Sequence, residues 1–205
     1  MPELLRCLAY TVGGYLSGNI MYAYWLPRWI RGVDVRNFGA DHNPGAANAT
    51  VACGLPMGIA CALLDILKGT APVALALRVG ELSLWYMVPV VLAPVVGHAW
   101  PILFEGRGGK AIATSFGVLI ALMPEILLAP LWAAIILLCL PFIRDHRVLM
   151  VVTSTAMAMG SFVLYPMLPV RLMACGVAAI LVFRHRPPKE RTPQTERPSV
   201  ALPDA

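Results

Sequence analysis

Runs of apolar residues long enough to cross a bilayer, broken by short polar stretches, account for most of this 205-residue chain. They extend from about Leu4 to Leu26, Leu55 to Leu77, Leu82 to Leu103, Lys110 to Met123, Ile126 to Ile143, Val148 to Leu164 and Val170 to Phe183. A helix of about 20 apolar residues matches the ~30 Å hydrocarbon core of a membrane. In lipid the backbone must satisfy its own hydrogen bonds, so such runs are helices. Apolar residues make up 59% of the chain and charged ones only 13%, which no soluble domain of this size requires. The expected fold class is therefore all-α: a polytopic membrane protein of about seven transmembrane helices with short cytoplasmic motif loops. The lipid bilayer is its first partner. Residues 1–184 form one integral membrane domain. Residues 185–205, rich in Pro, Thr and charge, read as a disordered cytoplasmic tail. The fourth run is short, so it tilts or thins the bilayer, or merges with the fifth to leave six spans.

The net charge of +5 reflects loop asymmetry and gives no reason to expect nucleic acid. If the loop after the first span is cytoplasmic, then Arg28, Arg31, Arg36, Arg107, Lys110, Arg144, Arg147 and the tail cations are all inside. Arg6, Arg78 and Arg171 fall outside. The C-terminus is then cytoplasmic and the N-terminus is not. The five cysteines are scattered through apolar runs with no CxxC spacing, so they imply neither disulfide nor metal. Asp65 and Lys68 stand one turn apart inside a span. Such residues face the bundle interior and are usually paired. His98, near the end of the third span, reads as a packing or interface histidine.

One polar stretch concentrates chemistry. Phe104 to Gly117 reads FEGRGGKAIATSFG. Gly108 and Gly109 permit φ > 0 and a close approach of N–H groups to an anion. A helix starting at about Lys110 would aim its free N–H groups at the same place. The lysine adds a full positive charge. Two readings stand: a phosphate cradle at the membrane surface, or a connecting loop whose Arg107 and Lys110 simply mark the inner face. The spacing is not that of a P-loop. A second polar segment, Pro27 to Thr50, is too polar to cross and is either a connecting loop or a short re-entrant or interfacial piece. No metal-ligand cluster, no GxSxG and no H-x4-D signature is present, so nothing supports covalent catalysis or a cofactor. What remains is phosphate binding and the positioning of two substrates, which suffices when the acyl donor is already activated.

GYLSGN at Gly14–Asn19, GVDVRNFGA at Gly32–Ala40, NPGAAN at Asn43–Asn48, LLDILKG at Leu63–Gly69, GHAWPILFEGRGGKAIATSFG at Gly97–Gly117 and RHR at Arg184–Arg186 follow one another in order. Together they resemble the bacterial acyl-phosphate:glycerol-3-phosphate acyltransferases (the PlsY family). The resemblance covers nearly the whole chain, from about Gly13 to Arg186. It implies seven membrane helices in the bacterial plasma (inner) membrane, with three motif loops on the cytosolic side. The implied reaction moves an acyl chain from acyl phosphate to the 1-hydroxyl of glycerol 3-phosphate. It gives lysophosphatidic acid and phosphate, a step of phospholipid synthesis. Carried over, Lys110 and His185 are the catalytic residues: the lysine holds phosphate and stabilises carbonyl charge, and the histidine anchors glycerol 3-phosphate or the leaving phosphate. Gly108, Gly109 and Thr114 line the phosphate site, and Asn43, Gly45 and Asn48 shape the first loop. No metal or other cofactor is implied.

The first loop departs from the family pattern G-S-G-N-x-G-A-T-N. One residue is inserted, Ala40 stands for the serine, Ala47 for the threonine, and Val51 for an arginine shortly after. The tail lacks the asparagine of H-x-x-N. Asp41 adds a negative charge beside the expected anion site, with His42 as its nearest compensation. A non-catalytic lipid- or anion-binding relative therefore stays open as an alternative. So does a small transporter built around Asp65 and Lys68.

Overall fold

The computed structural model describes residues 1–39 and 41–186. Ala40 and the tail from residue 187, with its cations Lys189, Arg191 and Arg197, lie outside the described residues. Among those described the regular structure is helical throughout: α1 Glu3–Asn19, α2 Tyr22–Arg31, α3 Ala46–Cys53, α4 Leu55–Val79, α5 Leu84–Ala99, α6 Ile112–Ala121, α7 Leu128–Cys139, α8 His146–Leu164 and α9 Leu168–Arg184, with 3-10 turns at Val35–Asn37 and Ile102–Phe104. The Leu55–Val79 and His146–Leu164 helices, and the stretch Leu84–Phe104, are each long and apolar enough to cross a membrane. Leu55, Ile59, Leu63 and Leu67 recur every fourth residue on α4 and are all exposed. Leu4, Leu8, Val12 and Leu16 do the same on α1. A stripe of that kind belongs against lipid. The buried core runs through α5, α8 and α9, with Trp132 of α7 stacked on Phe116 of α6.

Small residues set the tightest helix contacts. On α6, a Cβ at Gly117 would fall on the backbone carbonyl of Ile66 in α4. Reciprocally, a Cβ at Gly69 of α4 would lie 2.5 Å from the carbonyl oxygen of Thr114 in α6. The backbones approach because neither helix has a side chain there. A matching pair, Gly18 of α1 and Gly97 of α5, joins those two helices.

Two expected spans end differently from the apolar pattern. The run from Leu4 to Leu26 breaks after Asn19, and α2 starts again at Tyr22. The break is held by polar groups from elsewhere in the chain. Lys68 Nζ donates to the Ile20 carbonyl at 2.6 Å, and Asn19 Oδ1 accepts from Ile102 N–H at 2.6 Å. Hydropathy cannot register such a break, because Ile20 and Met21, the residues at it, are apolar. Within the polar segment, α2 ends at Gly32, which takes the left-handed conformation (φ 66°), and Trp29 and Ile30 are exposed beside Arg28 and Arg31. The fourth span starts at Ile112, two residues after Lys110, and stops at Ala121. Ten residues of helix reach only about 15 Å, half the hydrocarbon thickness. The irregular backbone of residues 105–111 precedes it, and such backbone is tolerated at depth only where protein or a polar cavity surrounds it.

Candidate active site

That irregular backbone is clamped on three sides. Arg184, the last residue of α9, donates from Nε to the Gly109 carbonyl at 3.1 Å and from Nη2 to the Gly108 carbonyl at 2.6 Å. Gly109 N–H donates to the carbonyl of His98 at 3.2 Å. The His98 ring lies directly under Gly109, where a Cβ would overlap its Nε2. The two glycines therefore serve close approach. Neither has a positive φ. Positive φ falls instead on Gly106, Glu105 and Ala111. Ala111 is strained there, and this last turn before α6 sets the direction in which Lys110 leaves the chain.

Lys110 points into a cavity of about 1360 Å³ whose walls come from four separate elements. The first loop contributes Asp41, Asn43, Gly45 and Asn48. The start of α8 contributes Asp145, His146 and Arg147, and the end of α9 Arg184, His185 and Arg186. Asp65 and His98 lie in its floor. Of the residues expected from sequence, Lys110, His185, Asn43, Gly45 and Asn48 meet here. Gly108, Gly109 and Thr114 do not line the cavity. The carbonyls of both glycines, and the N–H of Gly109, are taken up in the clamp. Thr114 is fully buried, because a helix starting at Ile112 turns it toward α4.

One carboxylate ties the first loop to the lysine. Asp41 Oδ2 lies 2.6 Å from Lys110 Nζ and accepts from Asn43 Nδ2 at 2.9 Å. Its Oδ1 accepts from Asn48 Nδ2 at 3.1 Å, and the same amide donates to the Asn43 carbonyl at 2.8 Å. Burial pushes the Asp41 carboxyl up, but the Lys110 ammonium and the Asn48 amide outweigh it, so its pKa falls below the ordinary value and it stays anionic. His42 does not balance this charge; its Nδ1 bonds the Arg36 carbonyl at 2.9 Å.

His185 caps α9. Its Nδ1 lies 2.7 Å from the Leu181 carbonyl, which only accepts, so Nδ1 carries the proton. Burial, and beyond it the charges of Lys110 and Arg184, depress its pKa. The neutral ring then offers Nε2 as a lone pair, and among the described residues that buried atom has no hydrogen-bond partner. Below, Asp65 and Lys68 pair at 2.8 Å with both side chains almost fully buried, and Asp65 Oδ1 lies 3.8 Å from His98 Nδ1. The pair is engaged, as its spacing implied. His98, Arg184 and His146 are the site residues that sequence reasoning left out. The signal for His98 was its place in the same motif run as Lys110.

Residues 8–194 match the family model described as glycerol-3-phosphate acyltransferase. The chain belongs to that family. A glycerol-3-phosphate acyltransferase of Aquifex aeolicus is 32% identical over 185 residues, covering 89% of this chain and 93% of the relative. One from Myxococcus xanthus is 45% identical over 116 residues, covering 57% of this chain and 60% of the relative's length. Among solved structures, the glycerol 3-phosphate form of PlsY, an integral membrane glycerol 3-phosphate acyltransferase, superposes with a TM-score of 0.77 at 31% identity, over 87% of this chain and 88% of that one. Its lysophosphatidic acid form superposes with a TM-score of 0.74 at 29% identity, over 88% of each chain. Within this acyltransferase family fold, the cavity is bounded by the same stretches that carry the motif residues: the first loop, the glycine–lysine loop and the end of α9.

Proposed function

We propose that this protein transfers an acyl chain from acyl phosphate to the 1-hydroxyl of glycerol 3-phosphate, releasing 1-acylglycerol 3-phosphate and inorganic phosphate at the cytoplasmic face of the plasma membrane. The observation that carries the reading is the convergence of Lys110, Arg184 and neutral His185, whose buried Nε2 has no partner among the described residues, on one large cavity. Lys110 neutralises phosphate and the negative charge that grows on the carbonyl oxygen in the transition state. As the acceptor seats against it, the buried His185 Nε2 is uncovered, accepts a hydrogen bond from the acceptor's hydroxyl and holds it in line with the carbonyl carbon. The hydroxyl oxygen bonds to that carbon, the carbon–oxygen bond to phosphate breaks, and the hydroxyl proton passes to the departing phosphate. No protein base and no covalent intermediate are required.

Charge supports the cytoplasmic placement. Arg147 and Arg186 line the cavity, and Arg28, Arg31, Arg36, Arg107 and Arg144 lie on or beside the loops that bound it, whereas Arg6 pairs with Glu81 just after Arg78 and the end of α4, and Arg171 bonds the Tyr165 carbonyl at the α8–α9 turn. That bias favours the cavity inside. The test uses the purified full chain in detergent with palmitoyl phosphate and glycerol 3-phosphate, following phosphate release. The unaltered chain turns over, and Lys110→Ala loses at least about a hundredfold in rate. Release no faster than that of the lysine variant would overturn the catalytic reading and leave a non-catalytic anion-binding role.

A further inference from the structure

The three polar residues best placed to hold a phosphate all bind something already. Lys110, Asn43 and Asn48 each direct a side-chain nitrogen at the carboxylate of Asp41, at 2.6, 2.9 and 3.1 Å. Both carboxylate oxygens are used, one by Lys110 and Asn43 and the other by Asn48. A cation and two amide donors around two anionic oxygens is the donor set a phosphate monoester would recruit. Asp41 reaches this place on an exposed loop, and its side chain is still 37% accessible. The loop around it is bent sharply: His42 follows with φ 49° and Gly39 precedes with φ 73°.

We infer that Asp41 is an internal stand-in for a substrate phosphate, occupying the donors a phosphate would use and yielding them when a phosphate group arrives. This rests on the function proposed above and adds a specificity-determining residue to it. A tethered carboxylate with one negative charge competes poorly with a phosphate dianion but well with weaker anions such as a fatty-acid carboxylate or chloride. The site is thus biased toward phosphate esters, at a cost in their apparent affinity set by how much of the time Asp41 holds the donors. When displaced, Asp41 swings toward solvent and Lys110 loses no positive charge to it.

The experiment replaces the charge without emptying the core. Asp41→Asn and Asp41→Ser are prepared as full chains in detergent, and KM for glycerol 3-phosphate, KM for palmitoyl phosphate, kcat and the inhibition constant of inorganic phosphate are measured. Both variants should lower the inhibition constant of phosphate by about three- to tenfold, with kcat within about twofold of the unaltered chain. A matching fall in KM for glycerol 3-phosphate places Asp41 on the acceptor's phosphate; a fall for palmitoyl phosphate places it on the donor's. Unchanged or raised constants for all three, or a fall in kcat with no gain in affinity, would overturn the inference and make Asp41 a strut that positions Lys110. Should the unaltered chain itself fail to turn over, the proposed reaction falls. Asp41 is then judged on inorganic phosphate alone, by whether that anion raises the melting temperature of the two variants at lower concentration than it does for the unaltered chain.

Discussion

At the scale of single residues, His185 shows how position converts a common side chain into a specific one. Its Nδ1–H is fixed on the Leu181 carbonyl, and its Nε2 is buried with no partner among the described residues. Burial, the largest effect, lowers its pKa from the ordinary 6.5; the Leu181 bond, next in size, pulls it up, and the Lys110, His146 and Arg184 charges add to the lowering. The sign of the consequence for stability follows directly. Above the ordinary value both folded and unfolded chains carry a neutral ring, and His185 makes no pH-dependent contribution. As pH falls through the ordinary value toward the depressed one, the unfolded chain binds a proton that the folded chain resists. Stability is therefore lost on acidification in that window. Thermal unfolding in detergent between pH 8 and pH 5 should show a melting temperature that is flat at the alkaline end and declines below about pH 6.5. His185→Gln should reduce the decline. A decline of equal steepness in the variant would assign the effect to other groups, Asp34 and Asp41 among them, whose carboxyls are held low and give the same sign at lower pH.

At the scale of elements, the buried pair on α4 links three helices. Lys68 Nζ contacts Asp65 Oδ1 at 2.8 Å and the Ile20 carbonyl at 2.6 Å, so one ammonium ties α4 to the break between α1 and α2. Ser17 of α1 returns a bond from Oγ to the Lys68 carbonyl at 2.8 Å. Removing one partner of such a pair strands the other charge without solvent. Asp65→Leu or Lys68→Met alone should each cost about 3–5 kcal/mol, whereas the double replacement should cost clearly less than the sum, because no unpaired charge is left. Melting temperatures of the four chains in detergent give the comparison. Additive losses would mean the two residues do not act as a pair. The pairing was legible in the sequence, since an i,i+3 spacing puts both residues on one face. The partner across the gap was not, because the Ile20 carbonyl is a backbone group and no residue type announces it. The same limit hid the glycine clamp: Arg184 grips carbonyls and Gly109 matters for the His98 ring beneath it, and both facts depend on which helices meet. The short α6 was visible as a short apolar run, but its start at Ile112 depends on the left-handed Ala111, a conformation alanine gives no reason to expect.

At the scale of the whole molecule, the positions of the cations and the cavity give one polarity to the bundle. The first loop, the glycine–lysine loop, the α7–α8 turn and the end of α9 meet at one end. The α4–α5 turn meets the start of α1 at the other, through Arg6 and Glu81, and the α8–α9 turn meets the residue preceding α7 there, through the Tyr165 hydroxyl and Leu127 N–H. Arg144 and Arg78 are exposed and stand at opposite ends. If positive charge retains the cavity end inside, a chain whose five native cysteines are replaced should report it from single new ones. Arg78→Cys in spheroplasts should react with a membrane-impermeant maleimide directly. Arg144→Cys should react only after the membrane is permeabilised. The opposite pattern would put the cavity, and with it Lys110 and His185, on the outer face, away from a cytosolic supply of glycerol 3-phosphate. The proposed reaction could then not run in the cell even if the purified protein catalysed it. Orientation is thus a condition on function independent of the site's chemistry, and a distribution of arginines across two ends of a bundle is what imposes it.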